Sequence, residues 1–102
     1  MNRISKAGLS LLQEWEELRL VAYQDEGGVW TIGWGHTGLD VYEGLVISRR
    51  EAEILLREDC DEASTCVNTA VKVPLSQNQF DALVCFVFNI GCAAFRSSTL
   101  LK

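Results

Sequence analysis

Three residues of this chain have types and spacing that could do chemistry together: Glu16, Asp25 and Thr31, in the order E-x8-D-x5-T. Two carboxylates and a hydroxyl suit hydrolysis of a glycosidic bond. One carboxylic acid protonates the leaving oxygen, while a second, ionised carboxylate activates water or stabilises the cationic transition state. The two need different surroundings, because one must keep its proton where the other loses it. Thr31 could hold a water or orient Asp25. Taken singly, each has an ordinary structural explanation. Glu16 runs with Glu14 and Glu17 and could be a solvated helix end. Aspartate is a common turn former and threonine a common strand residue.

The elements that must position them can be read from capping and periodicity. Ser5 can cap a helix whose apolar positions Leu9, Leu12 and Trp15 recur in steps of three, with Leu11 widening the stripe. Gly8 inside it costs a little stability, and the helix should end near residues 16–17. Leu18, Leu20 and Ala22 then alternate, Asp25-Glu26-Gly27-Gly28 reads as a turn, and Val29-Trp30-Thr31-Ile32 as the returning strand of a hairpin. Folding that hairpin beside the helix end would bring the three residues to one edge of a cleft. Ser48-Arg49-Arg50-Glu51 is a capping box before a long helix with the stripe Ala52, Leu55, Leu56, Cys60, Ala63 and Val67. After Pro74, a second box (Ser76-Gln77-Asn78-Gln79) opens a helix with Phe80, Leu83, Val84 and Val87. That helix is apolar on most sides, as a central, buried one would be, and Gly91 ends it. Arg96-Ser97-Ser98 before Thr99-Leu100-Leu101 reads as the cap of a further amphipathic helix. The outline is α+β with segregated parts.

Composition narrows the function classes. With 102 residues, 48% of them hydrophobic and one proline, the chain fits one folded domain and not a disordered segment. No window near ~18 residues is free of charges and no long apolar leader is present, so neither membrane insertion nor a secretory signal is expected. Between Glu51 and Glu62 six carboxylates face Arg57 alone, which accounts for the whole net charge of −5. This run reads as a solvated helix face. With only Arg49 and Arg50 adjacent, the chain lacks the clustered basic surface that nucleic-acid binding needs. Cys60, Cys66, Cys85 and Cys92 are spaced x5 and x6 within their pairs, not C-x2-C. They are expected to be reduced, buried thiols acting as small hydrophobes. No metal or organic cofactor is indicated.

Several blocks of the sequence resemble the phage T4-type lysozymes, the glycoside hydrolase endolysins of tailed phages. They include Glu16-Glu17-Leu18-Arg19-Leu20, Ala22-Tyr23-Gln24-Asp25 and Trp30-Thr31-Ile32-Gly33-Trp34-Gly35-His36-Thr37. The likeness continues through residues 52–59, Gln77-Asn78-Gln79-Phe80-Asp81-Ala82-Leu83, Phe86-Val87-Phe88-Asn89-Ile90-Gly91 and Phe95-Arg96-Ser97-Ser98-Thr99-Leu100. The resemblance implies a single lysozyme-like α+β domain over residues 1–102. A small β-hairpin lobe (1–47) would be joined by a long helix to a helical lobe (48–102). It also implies a muramidase that cuts between N-acetylmuramic acid and N-acetylglucosamine in bacterial peptidoglycan.

The family's catalytic positions fall on Glu16 as general acid and on Asp25 with Thr31. Substrate contacts would fall on Phe88, Asn89 and Gly35, and a structural ion pair on His36 and Asp59. Trp30 and Trp34 could stack on sugar or fill the hairpin core. Made in the host cytoplasm, such an enzyme would need a holin to reach the periplasm and cell wall. Three features depart from the family pattern: Glu17 in place of a usual glycine, Trp34 in place of a smaller residue or tyrosine, and the acidic charge. Full-length relatives continue for several more helices. Their absence would uncover the apolar face of residues 80–90, to be covered by self-association, a domain swap or another chain. The competing reading is a truncated remnant that binds glycan or protein without cutting.

Overall fold

Capping decides where the helices begin. The computed structural model describes residues 3–97. In it the chain runs α1 (Lys6–Trp15), β1 (Arg19–Gln24), β2 (Trp30–Gly33), β3 (His36–Thr37), α2 (Arg49–Ala70), α3 (Gln77–Ile90) and α4 (Cys92–Ser97). Ser5 Oγ accepts the Gly8 N–H at 3.1 Å, capping α1. The box ahead of α2 is reciprocal: the Glu51 N–H donates to Ser48 Oγ and the Ser48 N–H to Glu51 Oε1, each at 3.1 Å. Ser76 and Gln79 repeat the arrangement ahead of α3. At the other end of α3, Gly91 takes φ 87° and its N–H returns to the Val87 carbonyl at 2.7 Å. That conformation suits glycine and ends the helix.

The chain divides into two units, with boundaries within α1 and within α2. Leu11–Glu58 forms one, and the residues up to 10 with those from 59 onward form the other. The first holds an antiparallel sheet in the order β1-β2-β3. The outer edge of β1 is closed by the segment that leads into α2. The Ala22 N–H donates to the Leu45 carbonyl and the Ile47 N–H to the Leu20 carbonyl, both at 2.9 Å. An exposed edge is thereby paired. Leu12, Ile32, Trp34, Val41, Ile47, Ala52 and Leu56 are buried in this unit.

In the second unit, Ala63, Cys66 and Val67 of α2 pack with Phe80, Val84 and Val87 of α3 and Phe95 of α4. α3 is thus less enclosed than its sequence suggested. One face is buried, while Phe86 and Ile90 stay 40% and 39% exposed. Phe95 joins Phe80, Val84 and Val87 in the core, and its ring meets Phe86 edge-on at 6.3 Å. The further helix expected from Ser98-Thr99-Leu100-Leu101 lies outside the described residues.

Two expectations need correction here. Cys66 and Cys92 are not free thiols: they form a disulfide, with Cα atoms 5.9 Å apart. Sequence spacing hid the pair, because only the turn at Gly91 returns the start of α4 to α2. Cys60 and Cys85 are buried thiols, as expected. Burial, with the nearby Asp81 charge, pushes the Cys85 thiol above its ordinary value.

Gly8, read as a cost to α1, is a fitting requirement. A Cβ there would stand 3.0 Å from Asp81 Cγ and 2.8 Å from Ile4 Cγ1. Asp81, buried on α3, accepts from the Ser5 N–H at 3.0 Å, from Gln77 Nε2 at 2.8 Å and from the Ser5 hydroxyl. Each bond to such a carboxylate contributes roughly 1.5–3 kcal/mol, more than the ~1 kcal/mol a mid-helix glycine loses.

The disulfide links residues 26 apart, so closing that loop in the unfolded chain should stabilise the fold by about 3.5 kcal/mol. Cys66→Ser with Cys92→Ser should lose about that much in urea unfolding. Adding dithiothreitol to the parent should lower its midpoint but leave the variant unmoved.

Candidate active site

α1 delivers Glu16. The last helical bond, from the Glu16 N–H to the Leu12 carbonyl at 2.9 Å, leaves Glu16 just past the end of the helix. Only two residues then separate it from β1, whose first residue, Arg19, pairs with Gly33. Four residue steps of β1, from Arg19 to Tyr23, run opposite two of β2, from Gly33 to Thr31. This bulge takes up the excess chain and holds the end of α1 beside the β2–β3 turn. There the Glu16 carboxylate lies against Gly35, half-buried, with Oε2 3.1 Å from where a Cβ of that residue would stand. Gly35 has φ +76°, a conformation glycine adopts without cost. Trp15, expected in the buried stripe, is 63% exposed. The buried positions of α1 end at Leu12. The Glu17 carboxylate meets Arg19 at 3.2 Å on the surface, a pair worth little in water.

The β1–β2 turn fixes Asp25. Its N–H donates to the Val29 carbonyl and its carbonyl accepts the Gly28 N–H, both at 2.9 Å. Its Oδ1 accepts the N–H groups of Gly27 at 2.8 Å and Val29 at 2.9 Å. One carboxylate oxygen therefore organises the turn. The other, Oδ2, makes no hydrogen bond among the described residues, and the Asp25 side chain is exposed to solvent.

Thr31 sits on the central strand between Tyr23 and Thr37 and is 4% exposed. Its hydroxyl donates to the Val29 carbonyl at 3.0 Å. The register puts Asp25 and Thr31 on one face as diagonal neighbours, roughly 7–8 Å apart. Glu16 and Asp25 thus reach the sheet at opposite ends of β2, with Thr31 between them.

The remaining candidates take varied places. His36, on β3, sets Nε2 2.9 Å from Asp40 Oδ2, and that contact holds the Asp40 carboxyl below its ordinary value. Asp40 was missed in the sequence, although an acid four residues from the single histidine across a tight glycine turn was a usable signal. Trp34 is buried, with the Arg49 guanidinium 5.4 Å from its ring centre, so it fills the core. Trp30 is half-buried. Phe88 and Asn89 belong to the other unit. Phe88 is half-buried, and exposed Asn89 donates through Nδ2 to the Cys85 carbonyl at 3.1 Å. Asp59 lies on α2, also in that unit.

Known proteins are similar to this chain in sequence and fold. A family model described as phage lysozyme matches residues 13–102. An endolysin of Acyrthosiphon pisum secondary endosymbiont phage 1 is 52% identical over 97% of this chain and 67% of its own length. An endolysin of Bacillus phage PZA is 47% identical over 98% of this chain and 40% of its own. The chain therefore spans about two thirds of the first relative and two fifths of the second. Among solved structures, the muramidase domain of SpmX from Asticaccaulis excentricus superposes with TM-score 0.88 at 46% identity. That match covers 99% of this chain and 68% of the other.

The lowered Asp40 value gives a prediction with a definite sign. A depressed carboxyl contributes stability above its unfolded value and loses it as pH falls through the folded one. In a 13C titration Asp40 should ionise below 3.8, and His36→Ala should bring its midpoint back up. The acid side of the stability profile should flatten accordingly.

Proposed function

Because the chain belongs to the phage lysozyme family, we propose that it is a peptidoglycan hydrolase. Its reaction is cleavage of the β-1,4 bond between N-acetylmuramic acid and N-acetylglucosamine. The observation that carries the reading is the unlike surroundings of two carboxylates held near opposite ends of β2. Glu16 is half-buried against a bare stretch of backbone, while Asp25 is open to solvent with one oxygen spent in the turn.

Glu16 acts as the general acid on the leaving oxygen. Asp25 uses Oδ2 to draw a proton from the attacking water, and Thr31 holds the strand position from which that water is placed. Two charge-assisted bonds to Oδ1 keep the Asp25 carboxylate from swinging away as charge develops. The two acids are anchored at opposite ends of a four-residue strand, which rises roughly 3.3 Å per residue. That favours the wider carboxylate spacing that leaves room for a water, and hence inversion at the anomeric carbon.

The finer assignments belong to the same proposal. Phe88 and Asn89 contact sugar, with Asn89 Oδ1 left to accept because Nδ2 is engaged within its helix. His36 is structural. Asp40 meets its Nε2, and the ion pair of His36 with Asp59 belongs to the same proposal. Among the described residues no helix is long and apolar enough to cross a membrane, and passage to the wall is assigned to a holin. Self-association through the α3 face is supported by the exposure of Phe86 and Ile90.

In a turbidity assay on outer-membrane-permeabilised cells, Glu16→Gln should cut lysis by at least about 10²-fold with an unchanged circular dichroism spectrum. Asp25→Asn keeps the turn acceptor and removes the charge, so it should be similarly inactive yet folded. Lysis that survives Glu16→Gln would refute the assignment. With a soluble glycan, proton NMR should show the α-anomer as the first product; a β-anomer would refute inversion.

A further inference from the structure

Gly35 was assigned from the family pattern to substrate contact, yet its nearest neighbours are atoms of another residue of the site. An ideal Cβ at Gly35 would meet Glu16 Oε2 at 3.1 Å, Cδ at 3.4 Å and Oε1 at 3.8 Å, and these are the three nearest heavy atoms around it. The carboxylate therefore lies along the backbone of the β2–β3 turn, in the space a side chain would take. We propose that Gly35 is a positioning residue: its missing side chain is the seat that sets the Glu16 carboxylate for proton delivery.

The inference rests on Glu16 being the general acid but makes a separate claim. A methyl group at 3.1 Å is tighter than ordinary van der Waals contact. Something must give by a few tenths of an ångström, and the softest party is the end of the Glu16 side chain. The sheet around the turn is held by the pairs Ile32–His36 and Thr31–Thr37. Substitution would therefore move the acid and not the strand. Misplacement on this scale acts on the reacting geometry, since proton transfer needs its partners within hydrogen-bond reach.

Other glycines separate this effect from the cost of positive φ. Gly35, Gly28 and Gly44 share that conformation, at +76°, +81° and +90°. A Cβ at Gly28 or Gly44 would meet nothing within 4 Å. Alanine at Gly44 therefore carries the backbone strain without the collision.

The test compares Gly35→Ala and Gly35→Asn with Gly44→Ala, in steady-state hydrolysis of a soluble peptidoglycan fragment and in 13C NMR of the unliganded protein. Asparagine tolerates positive φ better than alanine and guards against simple misfolding. Both Gly35 variants should lose kcat by tenfold to a hundredfold with KM within about twofold. They should also shift the Glu16 Cδ resonance, which Gly44→Ala should leave in place. A rise in KM at unchanged kcat would restore Gly35 as a substrate contact and overturn the proposal. So would a Glu16 resonance that responds equally to Gly44→Ala. Should the parent protein show no hydrolysis, the muramidase reading fails, and the NMR comparison alone decides whether the seat exists.

Discussion

The site depends on where α1 stops. A carboxylate can approach a backbone closely only where no side chain intervenes, and only if its own helix ends within a few ångströms of that spot. Here one residue after α1 carries the acid and two more reach β1. The mismatch between β1 and β2 then absorbs the surplus chain, so that Arg19 pairs with Gly33 and not with a residue farther along. One more helical residue would send Glu16 to another side of α1, about 100° around the axis. The bulge, the glycine turn and the helix end are a single constraint seen from three places.

Much of this was legible in the sequence because it is local. Capping boxes at Ser48 and Ser76 work over three residues, and both formed as their patterns required. The Asp25 turn is also local, and its carboxylate does in the structure what aspartates do in turns. What stayed hidden involves residues far apart in the chain. Gly8 looks like a weak point in α1 until Asp81 is found pressed against it. Cys66 and Cys92 look like any two small hydrophobes until Gly91 turns the chain back. Helical periodicity counted Trp15 as buried, but periodicity cannot say that the core ends one turn earlier.

Charge shows the same division. The acidic run on α2 reads as a solvated face, and Glu51, Glu53, Glu58, Asp61 and Glu62 are all exposed. The one buried acid in the described residues is Asp81, whose neighbours in sequence give no sign that it gathers three hydrogen bonds. Burying a carboxylate is tolerable only when its oxygens are satisfied. Ser5 and Gln77 satisfy them from two different elements, so α1 is fixed at its start by a carboxylate acceptor and presents a carboxylate of its own at its end.

The disulfide has a topological consequence as well as an energetic one. Cys66 lies on α2 and Cys92 opens α4, so the covalent ring they close contains the whole of α3 and the connecting residues 71–76. Several of those connecting residues are exposed and proline-marked. A protease cutting there would open the ring and release no fragment, since both sides of the cut stay joined through sulfur. In an oxidising, protease-rich surrounding the helical unit would survive a nick that severs its reduced form into two pieces.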